Sequence, residues 1–181
     1  IVIADPSPAA KAFAEEIGCT YGTNEQVATC DRIFLAVKPH IVEGALAQLR
    51  PTLAEQKPTL ISMAAGVTIS QIENWAGTDL PIIRIMPNTP VQVGRGMTLY
   101  CCNDLVDEET LEDFLDDMAF TGHMDELPEH LIDAAGVVSG CGPAYMYMFL
   151  DALAKGAADC GVPMEKALSY GVATMIGAAN M

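Results

Sequence analysis

The chain has 181 residues, enough for one domain or for one domain with a smaller second one. Apolar residues make up 51% of it, which supports a sizeable core and argues against disorder. Nine Lys and Arg against 24 Asp and Glu leave a net charge of −15, which argues against nucleic acid or an anionic membrane surface as partner and reads as a solubility feature.

The chain opens on "IVIA", an apolar run that reads as a strand. "PAAKAFAEEIG" follows as a helix with Pro8 near its start and Gly18 as its stop. "CTY" is strand-like, and a short helix is expected near Asn24 to Thr29. "RIFLAV" is a strand, "HIVEGALAQLR" a helix closed by Pro51, and "TLISMA" a strand. "TISQIENWAG" is a helix stopped by Gly77, and "IIRIM" is a strand. The loop "PNTPVQVGRG" leads into a further strand, "MTLYCC". From Asp107 to Ala119 the pattern is an amphipathic helix, with Leu111, Phe114, Leu115 and Met118 on one face. The acids around that apolar stripe read as a solvated face and not as a metal site.

Strands alternating with helices of ten or so residues predict βαβ units and a mostly parallel sheet. The continuous apolar runs Ile33–Val37 and Leu60–Ala65 are the pattern of strands covered on both faces. After Leu127 no strand is expected. "EHLIDAAGVVSG" reads as a helix, "CGPAYMYMFLDALAKGAADCG" as a long helix opened by Pro143, and "PMEKALSYGVATMIGAANM" as a third. A domain boundary is placed near Glu126, giving units 1–126 and 127–181. The later helices are rich in Ala, Gly and Met, and their surface calls for a partner such as a second subunit.

No stretch reaches the roughly 18 uncharged apolar residues of a membrane span, and the opening residues do not form a secretory signal. The six cysteines have no C-x-x-C or metal-ligand spacing, and none pairs with the scattered histidines His40, His123 and His130, so no zinc site is expected. Most of the cysteines lie among apolar neighbours, which points to buried thiols in a reducing compartment such as the cytoplasm.

In an open parallel sheet, ligands gather at the carboxyl ends of the strands. The segments to inspect are therefore Asp5–Ser7, Lys38–Pro39–His40, Ala65–Gly66 and Pro87–Asn88–Thr89. Small residues let a flat ligand approach the backbone, and the prolines stiffen the turns. Lys38 can donate to a phosphate, a ribose, or a bound carbonyl or imine. In dinucleotide-binding folds an acid closing the second strand takes the ribose hydroxyls about 20 residues after a glycine-rich loop, the role open to Asp5. No G-x-G-x-x-G occurs in the sequence. If "IVIA" is the second strand, the first strand and its loop are expected upstream, in about 30 residues. "SGCGPAY" lacks the lysine of a P-loop and the pattern of a nucleophile elbow, and reads as a tight link between two helices with Pro143 at the first helical position.

Taken together, "FLAVKPH", "SMAAGVTISQIE", "IIRIMPNTPVQVGRGMT" and "LIDAAGVVSGCGPAYMYMFLDALA", in that order, resemble the pyrroline-5-carboxylate reductase family over essentially the whole chain. Cys141 stands where the family usually has Ser. The resemblance implies a Rossmann-type doubly wound domain followed by an all-helical dimerisation domain. It implies reduction of 1-pyrroline-5-carboxylate to L-proline, the last step of proline biosynthesis, by NADPH or NADH in a homodimer or higher homo-oligomer. It further implies that Ala36, Val37, Lys38 and Pro39, with Ala64, Ala65 and Gly66, line the cofactor, and that Asp5 and Ser7 lie near the adenosine ribose. The family's S-P-G-G-T-T segment, which cradles the substrate carboxylate, is not among these residues, so the catalytic groups are expected outside this chain. NADPH is the expected cofactor with NADH open, because Asp5 would repel a 2′-phosphate while Ser7 and Lys11 are placed to bind one. Two other readings stay open. One is a two-domain dehydrogenase of the 3-hydroxyacid or 6-phosphogluconate type, which relies on an interdomain-helix lysine; Lys155 falls about three turns past Pro143, late for that role. The other is a dinucleotide-sensing protein without turnover.

Overall fold

Alternating periodicity becomes seven strands and seven helices in the computed structural model, which describes residues 1–181. β1 (Val2–Ile3) and β2 (Thr20–Tyr21) pair in parallel across α1 (Pro8–Glu16). After the short α2 (Asn24–Val27) come β3 (Arg32–Leu35), α3 (Pro39–Gln56), β4 (Thr59–Ser62), α4 (Ile69–Ala76) and β5 (Ile82–Met86). These three strands are parallel neighbours. β6 (Gly96–Cys102) turns back antiparallel to β5. α5 (Glu108–Met118) then leads to β7 (Gly122–Glu126), parallel to β6. The larger sheet has the order β3-β4-β5-β6-β7, and the β1–β2 pair forms a separate ladder.

Both faces of the sheet are covered at β4, which is why it reads as a continuous apolar run; β3, read the same way, is the edge strand, with Phe34, Ala36 and Val37 exposed. Successive strand residues point to opposite faces. Leu60 and Ile82 join Val42, Leu46, Leu49 and Leu53 of α3 and Ile72 of α4 in the main core. Ile61, Ile83 and Ile85 face the other way and meet Phe114 of α5, with Leu111, Leu115 and Met118 packed against that cluster. The stripe read on α5 is thus its buried face. Phe114 also packs edge-on against Tyr100, ring centroids 5.9 Å apart.

Three elements depart from the sequence expectation. Pro51 does not close α3, which runs on to Gln56 and ends with Lys57 in the left-handed conformation (φ 49°). Pro51 is exposed, while Leu49 and Leu53 on either side are buried. Burying the next turn of the stripe outweighs the single backbone hydrogen bond a proline removes. β7 was not expected because "GHMDE" has no apolar run; its ladder with β6, starting at the pair Gly96–Gly122, forms it. Finally, Pro143 opens no helix. α6 is one helix from Glu129 to Asp159 with Pro143 inside it, followed by α7 (Met164–Asn180), so two helices stand where three were expected. No helix is long and apolar enough to cross a membrane.

Candidate functional site

The loops after β3, β4 and β5 lie on one rim of the sheet, since those strands are parallel and adjacent. Leu35 pairs with Ser62, and the Met63 N–H donates to the Leu35 carbonyl at 3.3 Å, holding the first two loops side by side. Ala36 and Val37 leave β3 exposed. Lys38 is the N-cap of α3 in extended conformation, with Pro39 in the first turn and no side-chain cap. An 18-residue helix thus presents an uncapped amino end, where partial positive charge favours anions. Lys38 is exposed and makes no ion pair, although the chain is strongly acidic.

The second loop has a different construction. The Ala64 N–H donates to the Ser62 hydroxyl at 3.4 Å. Gly66 has φ +73°, and the space a Cβ would occupy there holds nothing within 4 Å. A side chain would be strained at that φ and would fill the open space. The amino end of α4, by contrast, is occupied. Thr68 and Gln71 form a reciprocal capping box, and Glu129 Oε1 accepts from the Ile69 N–H at 2.7 Å. The anion-receptive helix end on this rim is therefore that of α3.

Asp5 and Ser7 follow β1, in the separate ladder. The Asp5 carboxylate accepts from the Ser7 N–H at 2.7 Å, Ser7 caps α1, and the Tyr21 hydroxyl donates to the Asp5 carbonyl at 2.9 Å. The structure brings Ala36–Pro39 together with Ala64–Gly66 on one sheet, while Asp5–Ser7 end a strand that has no hydrogen-bonded pairing with that sheet. The three histidines are exposed.

Two features of the site went unread in the sequence. Arg84, in the middle of β5, has a side chain only 2% exposed; it donates to Asp133 at 2.6 Å and to Glu129 at 3.2 Å, both on α6. The signal was present, because a charge inside the apolar run "IIRIM" demands partners. In the third loop, Asn88 accepts from the Met97 N–H and donates to the Ser139 carbonyl of α6, each at 2.9 Å.

Burial divides the cysteines. It is the main cause that pushes the Cys101 and Cys102 thiols up to about 11, so neither is an activated nucleophile at neutral pH. Where most of the six were expected buried, only Cys101 is; Cys19, Cys30 and Cys102 are half-buried, and Cys141 and Cys160, on α6 and just beyond it, are exposed. A recess of about 560 Å³, whose lining includes neither Lys38 nor Gly66, lies between α4, the ends of β6 and β7, and the start of α6. Glu73, Glu126 and Glu129 line it with no lysine or arginine, which disfavours a phosphate-bearing ligand there.

Two family models match the chain: pyrroline-5-carboxylate reductase dimerisation over residues 129–181, and NADP oxidoreductase coenzyme F420-dependent over residues 1–66. Pyrroline-5-carboxylate reductase of Corynebacterium melassecola is 37% identical over 161 residues, 87% of this chain and 60% of the relative. The solved pyrroline-5-carboxylate reductase of Coxiella burnetii superposes with a TM-score of 0.91 at 34% identity, covering 100% of this chain and 68% of that one. The Plasmodium falciparum pyrroline carboxylate reductase, solved with NADP bound, superposes with a TM-score of 0.88 at 31% identity, covering 99% and 68%. The chain spans about three fifths of the length of the Corynebacterium relative. With the motifs in order, the fold reproduced end to end and these identities, the chain belongs to the pyrroline-5-carboxylate reductase family.

Proposed function

We propose that the protein containing this chain reduces 1-pyrroline-5-carboxylate to L-proline with a nicotinamide dinucleotide, the last step of proline biosynthesis. The observation that carries this reading is that the unpaired Lys38 and uncapped amino end of α3 and the open loop at Gly66 follow adjacent parallel strands on one rim of the sheet. Those features fit a dinucleotide: the helix end and the ammonium suit phosphate, and the exposed Ala65 and Gly66 admit a flat ring, with the Ala64 side chain buried in the core behind them. When bound, the cofactor supplies the hydride that the imine carbon accepts. Ala36, Val37, Lys38 and Pro39 hold it from one loop and Ala64, Ala65 and Gly66 from the next. The cyclic imine is electrophilic once protonated, so the chain needs no strong acid beside it, in keeping with exposed histidines and unactivated thiols.

Asp5 and Ser7 are assigned to the adenosine ribose, and NADPH is favoured over NADH. The Asp5 carboxylate is engaged by the Ser7 N–H, while the Ser7 hydroxyl and Lys11 lie exposed in the first turns of α1, suited to a 2′-phosphate. The description of the amino-terminal family match and the NADP in the Plasmodium relative support this choice. Residues 1–126 are taken as the dinucleotide unit and 127–181 as the start of a helical dimerisation unit. In support, Val138, Tyr147, Met148, Phe149, Tyr170 and Ile176 of α6 and α7 are all more than half exposed, an apolar surface suited to a homodimer. The six free cysteines suit a cytoplasmic setting.

The test is to mix the whole protein with pyrroline-5-carboxylate and each dinucleotide in turn, following loss of NAD(P)H absorbance and formation of proline. The reading expects oxidation matched by proline, faster with NADPH. Cofactor binding without oxidation would favour a sensor, and turnover of 3-hydroxyacids instead would favour the related dehydrogenases.

A further inference from the structure

We propose that Asn88 is a positioning residue that ties the rim to the second unit, by donating its side-chain amide to the carbonyl that Pro143 frees inside α6. Proline has no N–H, so the carbonyl four residues earlier in a helix loses its usual donor. For Pro143 that carbonyl is Ser139, and it receives Asn88 Nδ2 at 2.9 Å. The other end of the same side chain accepts from the Met97 N–H at 2.9 Å. Reversing the amide would set donor against donor and acceptor against acceptor, so its orientation is fixed by chemistry. One side chain thus joins the end of β5, the start of β6 and the middle of α6.

The surroundings are shaped for this contact. At Gly136 an added Cβ would come within 3.2 Å of Met86 Cγ, so helix and strand end run close together just before the tie. Arg84, four residues before Asn88, grips Glu129 and Asp133 in the first turns of α6. The helix is therefore held at its start by charge and further along by the Asn88 bond. "PNTP" and "SGCGPAY" stop being independent motifs: the proline of the second creates the acceptor that the asparagine of the first fills. A mid-helix proline is costly only while its freed carbonyl stays unpaired.

The consequence for turnover rests on the function proposed above. The loop after β5 lies on the same rim as Lys38 and Gly66, so the Asn88 bond sets the spacing between that rim and α6. Hydride transfer is sensitive to displacements of about 1 Å.

The test uses five variants of the whole protein: Asn88→Asp, which keeps the acceptor toward Met97 and loses the donor; Asn88→Ala, which adds no charge; Pro143→Ala alone; and each Asn88 variant with Pro143→Ala. Pro143→Ala returns an internal N–H to the Ser139 carbonyl but restores no link to the rim. Asn88→Asp is expected to lower Tm and to lower kcat at saturating cofactor about tenfold, with KM for NADPH within about threefold. Adding Pro143→Ala is expected to recover Tm and leave kcat low. Wild-type kcat in both Asn88 variants, or recovery of kcat together with Tm, overturns the proposal. If Asn88→Asp does not fold, the Asn88→Ala pair gives the same comparison. If the wild-type protein fails to turn over pyrroline-5-carboxylate, the functional reading falls, and the Tm comparison still judges the tie: a Tm gain from Pro143→Ala that is larger in the Asn88 variants than in the wild-type background supports it, and strict additivity of the two substitutions overturns it.

Discussion

Arg84 provides the sharpest energetic test because its partners are unequally buried. Its side chain is 2% exposed, that of Glu129 is 33% exposed and that of Asp133 is 56% exposed. Neutralising both acids, with Glu129→Gln and Asp133→Asn, leaves a guanidinium in the core without a counter-charge, which costs about 3–5 kcal/mol. Replacing the arginine, with Arg84→Met, leaves an apolar chain of similar length in an apolar place. The two freed carboxylates reach water and are screened, and Glu129 keeps the Ile69 N–H. That change costs about 0–2 kcal/mol. For a chain of this size each kcal/mol moves Tm by about 2–4 °C, so the double acid variant falls by about 6–20 °C and Arg84→Met by no more than about 8 °C. Scanning calorimetry with urea titration measures both. Equal losses in the two variants would refute the reasoning, because they would mean that lost contacts, and not a stranded charge, set the cost.

Three more predictions concern the rim, the thiols and the sheet. Lys38→Met removes one charge-assisted bond and should raise the Kd for NADPH about 10- to 100-fold, with Tm unchanged, by fluorescence titration. Cys101 and Cys102 bind their protons more tightly when folded than unfolded, so stability is full below the ordinary thiol range and falls as pH rises from about 9 to about 11. Urea midpoints against pH should show that fall, and it should flatten in Cys101→Ala with Cys102→Ala. Gly122 has φ +131°, and a methyl there would meet the Gly96 backbone nitrogen at 2.5 Å, so Gly122→Ala should lose at least about 2 kcal/mol of stability in the same titration.

The framework of the fold was legible because burial imposes period. β4 stood out as an unbroken apolar run, β5 as one broken only by Arg84, and α5 showed its stripe before its partners were known. What escaped was decided by pairing between distant segments. β7 exists through its ladder to β6, not through its own residues. Pro51 looks like a helix stop and Pro143 like a helix start to a reader of local sequence, yet Leu53 carries α3 onward, and α6 runs through Pro143 with its freed carbonyl paired to Asn88. The loops Lys38–His40, Ala65–Gly66 and Pro87–Thr89 were legible as candidate site segments because a parallel sheet gathers the ends of its strands. The work of Arg84 and Asn88 was hidden, since their partners lie 45 and 51 residues away in sequence.

The most direct test of the central claim is amide hydrogen exchange on the whole protein with and without NADPH. The account predicts slowed exchange concentrated at Ala36–His40 and Ala64–Gly66, with the acidic recess around Glu73 and Glu126 unchanged. Protection confined to that recess, or absent from both loops at saturating NADPH, would contradict it.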